Sequence, residues 1–191
     1  MSEFLFIRHA ETDMAGRFCG HADPPVNARG EEQIRSLIQS LRTASIDAVY
    51  CSDLQRAVTT AQAIADAFAS PLTASRELRE INFGEWEGLS WAEIEQRDVA
   101  LARKWVDDFP NLSAPGGEAF ADFQARILGE IKRIHILAKE RRVAVVTHGG
   151  VMRVVLCALL GYGQKEAWEL TKPYCSLFTC QIGSDLQEAR Q

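Results

Sequence analysis

Basic and imidazole side chains gather at the ends of three apolar runs in this chain. Arg8 and His9 close FLFIRH at 4–9, and His148, followed by Gly149 and Gly150, closes VAVVTH at 143–148. A further cation, Arg56, stands just beyond Ser52, where the run DAVYCS at 47–52 gives way to a helical pattern. Guanidinium groups can each grip phosphate oxygens through a planar fork of N–H donors, neutralising charge that would repel an attacking nucleophile. A neutral imidazole is nucleophilic near pH 7, and a covalent phosphohistidine divides one difficult displacement into two easier ones. Gly149 and Gly150 permit close backbone approach and supply amide donors at a helix start, where phosphate or a developing oxyanion is stabilised.

Cleaving a phosphomonoester also needs a proton delivered to the leaving oxygen. The stretch ELREINFGEWEGLSW at 77–91 interleaves Glu80, Glu85 and Glu87 with Phe83, Trp86 and Trp91, apolar neighbours that favour the protonated form of a carboxyl group. Composition does not choose among the three. Blander readings stand beside each element: a solvated Arg56, a glycine turn with a satisfied core histidine, glutamates flanking core aromatics. A cysteine phosphatase would need C-x5-R, and Cys51 to Arg56 is C-x4-R without a glycine-rich loop. A metal hydrolase would use His9, His148 and a carboxylate as ligands, but the flanking arginines would repel a dication. A phosphate-binding module without turnover is the alternative of a different class.

The positioning elements follow from periodicity. The three runs above and SLFTCQI at 176–182 read as strands, most of them apolar on both faces like buried central strands. Residues 28–42 and 53–68 carry apolar side chains at helical spacing, and further helices are expected at 90–107, 118–139 and 150–160. Ser52 and Gln55 have the S-x-x-Q form of a capping box, which starts the second helix at Asp53 and puts Arg56 in its first turn, against the helix dipole. Alternating strands and helices imply an α/β fold, a three-layer α/β/α sandwich around a mostly parallel central sheet. Ligands of such sheets collect beyond the carboxyl ends of the strands, where Arg8, His9, Arg56 and His148 are expected to converge.

The bulk composition narrows the context. The 191 residues, net charge of −5 and 47% hydrophobic content suit one globular domain over 1–191. An acidic balance argues against broad nucleic-acid binding. No apolar run is long enough to span a membrane or serve as a signal-peptide core, so a cytoplasmic protein acting on a small molecule is expected. The five cysteines are scattered and read as reduced, mostly buried thiols, with no structural metal site.

R-H-A-E-T at 8–12, S-D-L-x-R-A-x-x-T-A at 52–61, L-R-E-I-x-F-G-x-W-E-G at 78–88 and V-V-T-H-G-G at 145–150 resemble, in order and spacing, the histidine phosphatase superfamily in its phosphoglycerate-mutase-like branch. The resemblance covers nearly the whole chain. It implies that His9 is the phosphorylated nucleophile, that Arg8 and Arg56 clamp the phosphate, and that His148 binds it with help from the Gly149 amide. It implies Glu80 as the acid that protonates the leaving oxygen and then activates water, with Glu85 and Glu87 structural; no metal or cofactor is called for. Two departures stand out: Ala10 replaces the family's glycine, and Ala15 stands where an asparagine is usual. The short stretch from Glu87 to Gly117 favours hydrolysis over mutase-type transfer, and the G-x-W-E-G and P-G-G-E turns are similar to those of alpha-ribazole phosphatases of cobalamin assembly and broad phosphomonoesterases.

Overall fold

Side-chain alternation along the apolar runs builds a sheet with two buried faces. The computed structural model describes residues 2–183; residues 184–191, part of the span expected as one domain, lie outside it. The strands are β1 (Ser2–Arg8), β2 (Ala48–Ser52), β3 (Leu72–Ser75), β4 (Arg142–Thr147) and β5 (Leu177–Ile182), in the spatial order β3-β2-β4-β1-β5. The first four are parallel, and β5 pairs antiparallel with β1 at the edge. The helices are α1 (Ala28–Leu41), α2 (Gln55–Phe68), α3 (Trp91–Arg97), α4 (Val99–Asp108), α5 (Phe120–Ala138), α6 (Gly149–Val154) and α7 (Gln164–Thr171).

Phe4, Phe6, Tyr50, Val143 and Val145 pack against Phe123, Ile127, Ile131 and Ile134 of α5 and Val151 and Met152 of α6. Their alternate neighbours Leu5, Ile7, Val49, Ala144 and Val146 pack against Leu37 and Leu41 of α1 and Ala57, Ala61 and Ile64 of α2. The three-layer α/β/α sandwich is therefore as expected. A satellite core of Trp86, Ile94, Ala102 and Ala114, with Phe18, Phe83, Trp91 and Trp105 against it, lies under α3 and α4.

The differences from expectation have local causes. The helix expected over 90–107 is two, because Asp98 turns extended at φ −156 and its carboxylate caps the Leu101 amide at 3.0 Å. The helix expected over 150–160 is α6 followed by a wider π-type turn at Val155–Leu159. β3 and α7 went unforeseen: LTAS is a half-exposed edge strand, and α7 buries only Ala167 and Thr171, so neither carries an apolar stripe. The Ser52 capping box does not form. α2 starts at Gln55, whose amide donates to Asp23 Oδ1 at 2.8 Å, while the Ser52 hydroxyl faces His148. All five thiols are free, but only Cys51 is buried; Cys19, Cys157, Cys175 and Cys180 sit in loops, a helix end and the edge strand, and are half-buried. No helix among the described residues is long and apolar enough to cross a membrane.

Ile131 is fully buried against the sheet, whereas Ile136 on the same helix is 64% exposed. Urea melts should show Ile131→Ala losing about 2–5 kcal/mol and Ile136→Ala changing stability by no more than about 0.5 kcal/mol. Equal losses would mean that α5 does not face the sheet as described.

Candidate active site

Parallel register aligns the carboxyl ends of β1, β4 and β2. Arg8 lies opposite Thr147, and Cys51 opposite Val146, so the residues that follow each strand emerge side by side. The His9 amide donates to the Thr147 carbonyl at 2.9 Å. The imidazoles of His9 and His148 consequently meet edge to face, ring centroids 5.0 Å apart.

The His9 ring is buried and its tautomer is determined by its contacts. Nδ1 lies 2.7 Å from the Ala10 carbonyl, which can only accept, so Nδ1 carries the proton. Nε2 is left with a bare lone pair, and Arg56 Nε donates to it at 3.3 Å. Burial, followed by the charges of Arg56 and Arg8, holds His9 well below its ordinary pKa of 6.5. Burial and Arg56 likewise push His148 down, with His9 and Arg8 adding to the effect. Both rings are thus neutral at pH 7. His148 Nε2 pairs with the Ser52 hydroxyl at 2.8 Å, and its buried Nδ1 has no partner among the described residues. With Ser52 donating, that Nδ1 is an unused N–H donor.

Arg56 is fully buried, and its local placement against the helix dipole is offset from outside the helix. Nη1 donates to the Ala22 carbonyl at 2.6 Å, and Nη2 to those of Gly20 at 2.8 Å and Cys19 at 3.2 Å. The fork expected to grip phosphate therefore holds the 19–22 loop, and Nε is the nitrogen turned to His9. The amides of that same loop point the other way. Those of Gly20, His21 and Ala22 donate to Glu87 at 3.0, 2.8 and 3.0 Å, and the Phe83 amide adds a fourth bond at 3.0 Å. Gly20 has no alternative, since a β-carbon there would collide with the Ile81 carbonyl and the Glu87 carboxylate.

Arg8 lies across the Tyr174 ring, its guanidinium carbon 4.1 Å from the centroid. Its Nη1 donates to the carbonyls of Lys172 and Thr171, while its buried Nε has no partner among the described residues. Glu80 accepts from the Gly150 amide at 2.8 Å and from its neighbour Ile81 at 3.0 Å. A β-carbon on Gly150 would strike this carboxylate, which explains the second glycine of H-G-G better than phosphate approach does. The backbone around Glu80 is fixed by Arg126, which donates to the carbonyls of Glu77, Arg79 and Glu80, and by the Thr147 hydroxyl on Leu78.

The structure thus brings Arg8, His9, Arg56, Glu80, His148 and Gly149 to one end of the sheet. Arg8, His9, Glu80 and Gly149 line a cavity of about 1120 Å³, with Arg56 and His148 behind them. Glu85 does not line it. Of the two departures, Ala10 is buried and its amide donates to Thr60 Oγ1 at 3.1 Å, tying the loop after β1 to α2. Ala15 is exposed in a turn closed by its amide on the Thr12 carbonyl. Ser52, Glu87 and Tyr174 are the supporting residues whose roles spacing did not reveal; Ser52 and Glu87 stood within motifs, and Tyr174 carried no signal.

The profile of the histidine phosphatase superfamily (branch 1) matches residues 4–190. The chain is 33% identical over 164 residues to the adenosylcobalamin/alpha-ribazole phosphatase of Escherichia coli K12, an alignment covering 85% of this chain and 81% of that protein. It is 31% identical over 170 residues to phosphoserine phosphatase 1 of Hydrogenobacter thermophilus, covering 88% and 81%. The solved alpha-ribazole phosphatase of Shigella flexneri superposes with a TM-score of 0.85 at 29% identity, over 95% of this chain and 91% of that one. Profile, relatives and fold agree with the geometry at the strand ends: the chain belongs to the histidine phosphatase superfamily, branch 1.

Proposed function

We propose that this phosphoric monoester hydrolase works through a covalent phosphohistidine on His9, without a metal ion. The observation that carries the proposal is the bare Nε2 of His9, its proton held on Nδ1 by Ala10, facing the buried Arg56 in a pocket with two unused polar atoms, Arg8 Nε and His148 Nδ1. A phosphoryl group set against Nε2 takes over the Arg56 Nε–H bond and engages those two atoms. Nε2 attacks phosphorus, the ester P–O bond breaks, and Glu80 protonates the departing alkoxide. Glu80 then takes a proton from water as it attacks phosphorus, releasing phosphate and restoring neutral His9. Two backbone amides fix the Glu80 carboxyl group and leave a second lone pair on each oxygen through which a proton can be exchanged. Arg8 and Arg56 supply the positive charge that a dication would otherwise bring.

The alcohol is assigned to a small phosphorylated metabolite. Alpha-ribazole 5′-phosphate in cobalamin biosynthesis is one candidate, supported by the name of the Escherichia coli relative and by the wall of Trp91, Trp105, Phe109 and Phe120 that a ring system could meet. Phosphoserine is the second, on the name of the Hydrogenobacter relative and on the basic residues Arg153, Lys165 and Lys172 that also line the cavity. Mutase-type transfer would require the phosphohistidine to be shielded, and a cavity of about 1120 Å³ lets water in. A cytoplasmic location fits five unpaired thiols.

His9→Ala should lower kcat on p-nitrophenyl phosphate by about 10³-fold or more, with an unchanged circular dichroism spectrum. Rapid-quench labelling should trap an acid-labile phosphoenzyme in the wild type only, and EDTA should leave the rate intact. Brisk turnover by the variant would remove His9 as nucleophile.

The pH profile follows from the depressed imidazoles. A lowered pKa keeps His9 neutral as the pH falls through 6.5, so its acid limb lies below that ordinary value. After correction for the substrate's own ionisation near 6, kcat/KM should hold steady from neutrality down through 6.5. A limb centred at or above that value would contradict the burial of the nucleophile among guanidinium groups.

A further inference from the structure

We propose that Arg153 binds a second anionic group on the substrate, a carboxylate or phosphate borne by the leaving alcohol a few bonds from the scissile phosphoryl group. The inference rests on the hydrolase reading above and narrows its substrate class. Arg153 lies one turn into α6, lines the same cavity as His9 and Glu80, and rests on the Trp168 ring with its guanidinium carbon 4.5 Å from the centroid. Among the described residues it has no hydrogen bond or salt bridge to a carboxylate. Burial lowers its pKa; Glu80 opposes that shift and Arg8 adds to it. A partly desolvated guanidinium with no carboxylate in hydrogen-bond contact is unfavourable until a ligand supplies one.

Its position is beside one phosphoryl clamp, Arg8, and outside the set of charges that act on His9. A β-carbon built on Gly149 would stand 3.7 Å from both Arg153 Nη1 and Arg8 Nε, so the two cations flank one spot on the cavity floor. The guanidinium charges that depress His9 are those of Arg56 and Arg8, and Arg153 is not among them. One bound molecule can therefore present its phosphoryl group to His9 and Arg8 and a second acid to Arg153. Lys165 and Lys172 also line this wall, and Gln164 adds a polar group. Apart from Arg17, which pairs with Glu93 at 2.8 Å, the lining carries Arg8, Arg153, Lys165 and Lys172 against the single carboxylate of Glu80, in a chain whose net charge is −5. Such a reversal of sign focuses the field on an anion larger in charge than one phosphoryl group. The bare alternative is that Arg153 serves only to stack α6 on α7 through Trp168.

The test compares matched esters on the full chain: 3-phosphoglycerate with glycerol 3-phosphate for a carboxylate, and propane-1,3-diol bisphosphate with its monophosphate for a phosphate. The wild type should prefer an acid-bearing member by about 10–100-fold in kcat/KM, the value of a charge-assisted pair. Arg153→Gln should collapse that ratio mainly through KM, and Arg153→Lys should restore part of it. Which pair shows the preference identifies the acid. A uniform loss across all four esters, or a ratio unmoved by Arg153→Gln, would overturn the subsite; a lowered melting temperature with an intact ratio would leave only the stacking role. Should the wild type turn over no ester, including p-nitrophenyl phosphate, the hydrolase reading falls by itself. Calorimetric binding of 3-phosphoglycerate against glycerol 3-phosphate, in wild type and Arg153→Gln, then decides the subsite: equal affinities would refute it.

Discussion

A fully buried guanidinium is the constraint on which the rest of the site depends. Taking a charge from water costs several kcal/mol unless hydrogen bonds replace its hydration. Arg56 is supplied by three backbone carbonyls of the 19–22 loop, with Asp23 at 3.9 Å on its outer side. Those carbonyls face Arg56 only because the amides of the same loop face Glu87. One strip of backbone is thus bound on one side by a cation and on the other by an anion, and its peptide dipoles align between them. The first turn of α2 and the W-E-G turn are coupled through this strip. His9 receives its geometry last, from an Arg56 that has no other place to point its Nε.

That arrangement explains which parts of the site are legible in the sequence. The strand ends were legible because parallel strands buried on both faces leave a strong apolar signature, and cations closing such runs demand an explanation. Arg56 was legible from its sign: a cation in the first turn of a helix opposes the dipole, and the structure shows the loop carbonyls that offset the cost. Glu80 was not separable from Glu85 and Glu87 by composition, because all three stand among the same aromatics; only motif position favoured it. The distinguishing facts, the Gly150 amide on Glu80 and the Gly20, His21 and Ala22 amides on Glu87, join segments far apart in the chain. Ser52 was misread for a similar reason. A cap is a local prediction, and a histidine 96 residues away competes for the hydroxyl. β3 and α7 bury too little to leave a pattern.

Neutral imidazoles side by side are a chemical requirement as well as a result of burial. Two protonated rings, 5.0 Å apart between two guanidinium groups, would place four positive charges in one water-poor pocket. The fold avoids this by giving each ring a different hydrogen-bonding frame. Ala10 fixes the His9 proton on Nδ1 and exposes a lone pair, while Ser52 occupies Nε2 of His148 and leaves its other nitrogen for the ligand. In the phosphohistidine mechanism proposed above, these two frames would give identical side chains opposite roles, one as electron-pair donor and the other, with Ser52 donating to it, as hydrogen-bond donor. The two positive charges that remain belong to arginines, which cannot lose their protons at working pH.

On the proposed mechanism, the walls of the cavity, more than its floor, would determine which ester is accepted. The floor is built from strand ends and cannot change without disturbing the sheet. The walls belong largely to separate units: the aromatic side to α3, α4 and the Phe109 that follows them, joined by Phe120 at the start of α5, and the basic side to α6, α7 and the Lys172 that caps it. Neither unit shares core residues with the α1–α2 layer that carries Arg56. The aromatic wall offers apolar area, which rewards size but discriminates weakly between alcohols. The basic wall offers an uncompensated guanidinium, which makes a neutral alcohol leave a charge without its partner. If Arg153 is the anion subsite proposed above, charge on the leaving group is the property to which this cavity is most sensitive, and the shape of the alcohol comes second.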